Sequence, residues 1–249
     1  MIEKKELLEI AKLRGLKPWQ QEKHYIQAVV LEILAEQPLV LKGGTYLWFF
    51  HSLPRFSEDL DFTAKEKFLK NLPETVSKSL ELFGIHNKSK TITNNAITLS
   101  FRVSAQGPLN TAEIDECRVY VEISKREEIE KKPLAIKLDF PEYRLPTKTV
   151  SGMDLEEVGA EKCRAIMTRE NARDLYDLYC LIEKKKIPFN PQLVQKKLSY
   201  YNKKFSKKEF LQKAEKKQES FAKELKSIVF DDIPDFKKTI KTVHAWIEK

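Results

Sequence analysis

The chain of 249 residues is 41% hydrophobic and 33% charged, with a formal net charge of +8. This length can bury a core for one large domain or two modest ones, and the composition excludes a disordered or fibrous chain. No run of about 18 apolar residues occurs, so no transmembrane helix is expected, and the opening MIEKKELLEIAKLRG lacks the apolar stretch of a secretory signal.

Residues 2–15 and 19–36 read as two helices, the second started by Pro18 and carrying Ile26, Val29, Val30, Ile33 and Leu34 at helical spacing. PLVLKGG reads as a short buried strand ending at glycine, TYLWFFHS as a short apolar helix, and EDLDFTA as an alternating strand. Residues 66–83 read as a helix interrupted at Pro73. HNKSKTIT, AITLSFRVS, CRVYVEIS and PLAIKLDF follow as strands. TKTVSGMD clusters polar residues and glycine and reads as a hinge. Beyond it EEVGAEKCRAIM, ARDLYDLYCLIEKK, PQLVQKKLSYYN, KKEFLQKAEKKQESFAKELKSI and DFKKTIKTVHAWIEK each read as one helix. The expected class is α+β: a mixed sheet with flanking helices over residues 1–150, then an all-helical region over 151–249.

Cys117, Cys163 and Cys180 are odd in number and lack metal-ligand spacing, which reads as three reduced thiols in a cytoplasmic protein. His24, His51, His86 and His244 are dispersed, and neither HExxH nor GxSxG occurs, so a zinc site and a nucleophile-elbow hydrolase are set aside.

The chemistry concentrates in LKGGTYLWFFHSLPRFSEDLDF, residues 41–62. Asp59 and Asp61 stand at i and i+2 of a strand, so both carboxylates share one face while Leu60 and Phe62 turn to the core. Two such carboxylates repel unless a cation lies between them, and Mg²⁺ takes carboxylate and phosphate oxygens together. Alone, the pair also reads as a solvated acidic face. Gly43 and Gly44 bring bare backbone N–H groups to a helix start, and Thr45 adds a hydroxyl there, which suits a triphosphate or simply a tight strand-to-helix turn.

The segment resembles the first motif of the nucleotidyltransferase superfamily, and more closely that of the AbiEii/AbiGii-type toxins. Lys42, Gly43, Gly44, Thr45, Arg55, Ser57, Asp59, Leu60, Asp61 and Phe62 carry the match. The superfamily pattern implies a third acid on a neighbouring strand. In CRVYVEISKREE that acid is Glu122, where relatives often have Asp; Asp139 and then Asp115 are rivals. A second match lies in EEVGAEKCRAIMTRENARDLYDLYCLI, through Glu157, Ala160, Glu161, Lys162, Ala165, Arg169, Arg173, Asp174, Leu175, Tyr176, Asp177 and Leu178. Cations and acids at these spacings suit either a triphosphate or an interhelical ion-pair network.

The resemblance implies an enzyme that moves NMP from an NTP to an acceptor hydroxyl. Asp59, Asp61 and Glu122 would hold Mg²⁺ (or Mn²⁺), with Lys162 and Asp174 also catalytic. Lys42, Gly43, Gly44, Thr45, Arg55, Ser57, Lys162, Arg173 and Asp177 would bind the nucleotide. It further implies the toxin of a toxin–antitoxin or phage-defence pair, a cognate antitoxin and a tRNA or other RNA acceptor, with no membrane partner. The lysine-rich residues 184–226, interleaved with Phe189, Tyr200, Tyr201, Phe205 and Phe210, suit an RNA groove or ordinary amphipathic helices. Two other functions fit the same residues: a protein-modifying enzyme of this fold, by NMP transfer or as a kinase, and a non-catalytic RNA-binding module.

Overall fold

The computed structural model describes residues 1–66, 68 and 71–248. They divide into two compact units. The first comprises residues 1–46, 58–128 and 133–152, and the second residues 47–57, 129–132 and those from Met153 onward.

The first unit is built on a seven-stranded sheet of order β3-β4-β5-β2-β1-β7-β6. Its strands are β1 (Leu39–Lys42), β2 (Asp59–Ala64), β3 (Asn87–Asn94), β4 (Thr98–Ala105), β5 (Cys117–Ser124), β6 (Leu134–Leu138) and β7 (Lys148–Gly152). β2 lies between β1, antiparallel to it, and β5, parallel to it. Helix α1 (Lys4–Arg14) starts with a reciprocal cap between Glu3 and Glu6 and stops at Gly15. Helix α2 (Pro18–Leu34) begins with Pro18 and is buried along most of its length, packing on α1 and on β5. Leu99, Phe101 and Val103 of β4 and Val119, Val121 and Ile123 of β5 turn one face of the sheet into core. The period-2 alternation leaves the opposite face of those strands polar.

Two expectations change here. TKTVSGMD is more ordered than a loop: its residues Lys148–Gly152 form β7, paired in parallel with β1, and the second unit resumes within it at Met153. Its threonines and single buried valine gave a weak strand signal, and only the neighbouring strands reveal it. Pro73 does not interrupt a helix but lies in the first turn of α4 (Leu72–Leu82), where its missing N–H costs nothing. The earlier part of the expected helix includes residues 67, 69 and 70, which lie outside the described residues.

The second unit is helical. Helix α3 (Gly43–His51) supplies its first residues from Leu47, followed by α5 (Leu155–Thr168), α6 (Arg173–Lys185), α7 (Pro191–Ser199), α8 (Lys207–Glu215), α9 (Gln218–Leu225) and α10 (Phe236–Ile247). Side chains of Asp154, Asn190, Ser206 and Asp235 cap the starts of α5, α7, α8 and α10. α5 packs against α6, α7 and α8, and α10 against α6. The single helix expected over KKEFLQKAEKKQESFAKELKSI is two, α8 and α9. Lys217 sits at the break, buried, with its ammonium donating to the Arg169 carbonyl oxygen at 2.6 Å. Glu157 of α5 anchors the detached segment: it accepts from the backbone N–H of Glu130 and Lys131 and from Lys197 Nζ at 2.6 Å.

Candidate active site

In the first unit, β2 carries Asp59 and Asp61 on one face, both half-buried, while Leu60 and Phe62 enter the core. Asp61 stands opposite Lys42 on β1 and opposite Glu122 on β5. Cross-strand partners share a face, so Lys42, Asp61 and Glu122 form one row across the sheet. Asp59, Asp61, Ser100, Tyr120, Glu122 and Ile92 line a hollow of about 420 Å³.

Gly43 follows β1 with φ at +77°, a conformation that disfavours any side chain. A Cβ there would fall 2.2 Å from Asp61 Oδ2 and 2.9 Å from its Cγ. The glycine is thus required twice: by the turn, and by the carboxylate that lies on its backbone. Gly44 and Thr45 continue into α3. Thr45 is fully buried; its hydroxyl donates to the Asp59 carbonyl oxygen at 2.6 Å and accepts from Gln27 Nε2 at 3.4 Å. It ties the start of α3 to the start of β2. Lys42 is buried with its ammonium 3.0 Å from Glu127 Oε2.

These residues fit a hard divalent cation. The donors are carboxylate oxygens on one face, and a methyl group at position 43 would occupy the space of one of them. Among the described residues no three His, Cys, Asp or Glu side chains are gathered into a closed metal cage. Mg²⁺ is held by one or two carboxylates completed by substrate phosphates and water, so an open pair suits it better than a cage. Glu122, exposed at the rim, is the next carboxylate along the row. The rivals lie elsewhere. Asp139 follows the edge strand β6 and pairs with Lys137, and Asp115 accepts from the Thr111 hydroxyl.

The second unit holds the other charged constellation. Lys162 of α5 reaches Asp174 Oδ1 at 2.9 Å and Asp177 Oδ2 at 2.6 Å, both on α6. Arg55 grips the same Asp177 with two bonds, Nε to Oδ1 at 2.5 Å and Nη2 to Oδ2 at 2.7 Å. Arg55 is 3% exposed and Asp177 0%. Burial alone would raise the Asp177 pKa, but the charges of Arg55 and then Lys162 outweigh it and hold it down at about 2. Burial likewise opposes the charge on Lys162, and Asp174 and Asp177 reverse that and push its pKa above 10.5. Arg173 is exposed at the first position of α6. Ser57 closes the segment that carries Arg55.

Phe189, Phe205 and Phe210 of the lysine-rich stretch pack on one another, and Phe189 also on Trp246. Tyr201 lies against the Arg164 guanidinium at 4.7 Å. Of the five aromatics only Phe210 is fully buried; Phe189, Tyr200, Tyr201 and Phe205 are half-buried. The stretch also spends Lys197 and Lys217 inside. The sequence reading missed Glu127, Glu157 and Lys197 as partners of buried charges; only pairing across distant segments identifies them.

The family model described as "Nucleotidyl transferase AbiEii toxin, Type IV TA system" matches residues 28–245. The chain belongs to that family. It is by that membership a nucleotidyltransferase and the toxin of a type IV toxin–antitoxin system, which implies an NTP substrate and an antitoxin partner. No curated protein matches the AbiEii-family chain significantly in sequence. Its fold resembles that of a Helicobacter pylori protein described as a candidate nucleotidyltransferase, with TM-score 0.67 and 22% identity over 94% of this chain and 95% of that one. JHP933 from Helicobacter pylori is similar at TM-score 0.64 and 22% identity, over 93% and 91% of the two chains. MenT4, a nucleotidyltransferase toxin from Mycobacterium tuberculosis H37Rv, is similar at TM-score 0.56 and 17% identity, over 99% and 89%. These likenesses bear on fold, which is that of nucleotidyltransferases. Among the described residues no helix is long and apolar enough to cross a membrane. The three cysteines are free thiols in buried positions.

Proposed function

We propose that this toxin transfers NMP from an NTP to a hydroxyl of an RNA acceptor, the 3′ end of a tRNA being the leading class, in a reaction that depends on Mg²⁺ or Mn²⁺. The observation that carries the reading is the placement of the Asp61 carboxylate on the backbone of Gly43, with Asp59 on the same face and Glu122 opposite Asp61. Asp59 and Asp61 are the residues to hold the cation, which when bound neutralises triphosphate charge and eases ionisation of a hydroxyl. Backbone N–H groups at Gly43 and Gly44 bind phosphate oxygens at the start of α3. The acceptor oxygen bonds to the α-phosphorus, the bond from that phosphorus to the bridging oxygen breaks, and pyrophosphate leaves. Glu122, exposed beside Asp61, takes the hydroxyl proton.

Residues that the family resemblance assigns to the nucleotide divide by their bonding partners. We assign Thr45, Arg55 and Asp177 to positioning: the first fixes Asp59, and the other two fix Lys162 through buried bonds. Asp174 completes the setting of Lys162. Lys42, held by Glu127, orders the row beside Asp61. For Lys162, the exposed Arg173 and Ser57, all of the second unit, the nucleotide-binding role is the one that the family resemblance implies. Action in the cytoplasm and in defence against phage belongs to the same proposal.

The test uses total tRNA, Mg²⁺ and each NTP labelled either at the α- or the γ-phosphate. Label from the α-phosphate on RNA is the expected result. The γ-label moving instead, or α-label on protein only, would replace this reading with the protein-modifying one.

A further inference from the structure

The exposed face of β3, β4 and β5 carries a pattern that the metal site does not use. Lys90 of β3, Arg102 of β4, Tyr120 of β5 and Asp59 of β2 are successive register partners, so they form one row that ends at the acidic site. Strand spacing puts Tyr120, Arg102 and Lys90 roughly 5, 10 and 14 Å from Asp59. The neighbouring row adds Arg118, opposite Ser104. Tyr120 is 39% exposed and Ile92 53%, and both line the hollow that holds Asp59 and Asp61.

Among the described residues no carboxylate pairs with Lys90, Arg102 or Arg118, whereas Lys88 on the same face is taken by Glu113 at 3.0 Å. Among the described residues the buried Arg102 Nε has no hydrogen-bond partner. Lysines on an edge strand such as β3 also guard against sheet-to-sheet pairing. That role does not account for arginines and an exposed tyrosine on the interior strands β4 and β5.

We infer that this face is the platform for the acceptor: a single-stranded RNA end runs across it toward Asp59, its phosphates on Lys90, Arg102 and Arg118 and a base stacked on Tyr120. A cationic surface carrying an aromatic ring is the chemistry that holds unpaired strands. The inference rests on the proposed nucleotidyl transfer for its direction, but the binding it asserts is independent of turnover.

The experiment measures anisotropy of a short fluorescein-labelled single-stranded RNA with the full chain, in wild type, Arg102→Gln/Arg118→Gln, Tyr120→Ala and Tyr120→Phe. Transfer kinetics are read in parallel. The double variant should bind at least about tenfold more weakly, and its log–log salt slope should fall by about 1.4, the value for two lost phosphate contacts on a single strand. Tyr120→Ala should weaken binding about tenfold while Tyr120→Phe, which keeps the stacking ring, matches wild type. The KM for NTP should stay unchanged in all of them. Wild-type affinity in folded double and alanine variants would overturn the platform, even if transfer to RNA proceeds. A raised NTP KM with unaltered RNA affinity would also overturn it, by making Tyr120 a nucleotide-base contact. Arginine-dependent RNA binding without transfer would uphold the platform while removing the transfer reading.

Discussion

Gly43 shows how one residue can couple backbone and chemistry. Gly43→Ala places a methyl group against the Asp61 carboxylate and strains a left-handed turn, so it should cost roughly 1–3 kcal/mol of stability and at least about 100-fold in transfer rate. Retained activity in purified Gly43→Ala would contradict the placement of Asp61. Thr45 makes a different prediction. Thr45→Val removes the bond to the Asp59 carbonyl, so kcat should fall while the KM for NTP stays near wild type; a tenfold rise in that KM would mean that the hydroxyl meets phosphate after all. At this scale the sequence was legible where spacing alone sets geometry. Asp59 and Asp61 two apart on a strand had to share a face. It was silent where a hydroxyl chooses its partner: GGT reads the same whether Thr45 points to a ligand or, as here, to the backbone of β2.

At the scale of elements, the Arg55–Asp177–Lys162–Asp174 cluster joins the segment before β2 to α5 and α6. Asp177→Asn leaves two buried cations short of a counter-charge and should destabilise the protein by about 3–5 kcal/mol, measured by denaturant unfolding. The pH dependence has a definite sign. The Asp177 pKa is depressed from 3.8 to about 2, so its contribution is full above pH 3.8 and is lost as pH falls toward 2. The Lys162 pKa is raised above 10.5, so its contribution is full below that value and is lost as pH rises beyond it. Unfolding free energy should lose an acid-limb component in Asp177→Asn; an identical acid limb in the variant would show that the cluster is not ionised as described. Long periodic helices such as α2 and α5 were legible in the sequence, because their apolar stripes repeat over several turns. β7 was not, since a five-residue strand of threonine, serine and one valine takes its identity from β1 and β6 beside it. Nor was the break between α8 and α9, where the buried Lys217 reaches a distant carbonyl.

At the scale of the whole molecule, the two motif regions were readable because each matches the family's residue pattern at fixed spacing. The net charge of +8 was a poorer guide. It drew attention to the lysine-rich helices, while the cations of the sheet, without a carboxylate partner among the described residues, lay hidden in ordinary strand alternation. Charge becomes informative only once the register places Lys90, Arg102 and Arg118 on one face. Nucleotidyl transfer is the reaction proposed for the acidic face over Gly43. The most direct measurement compares wild type with Asp61→Asn, an isosteric change that keeps the packing on Gly43, for transfer of α-labelled NMP to tRNA in Mg²⁺, with thermal unfolding recorded on both. The expected outcome is a folded variant whose transfer rate is at least about 1,000-fold lower. A folded Asp61→Asn protein that labels tRNA at the wild-type rate would contradict it.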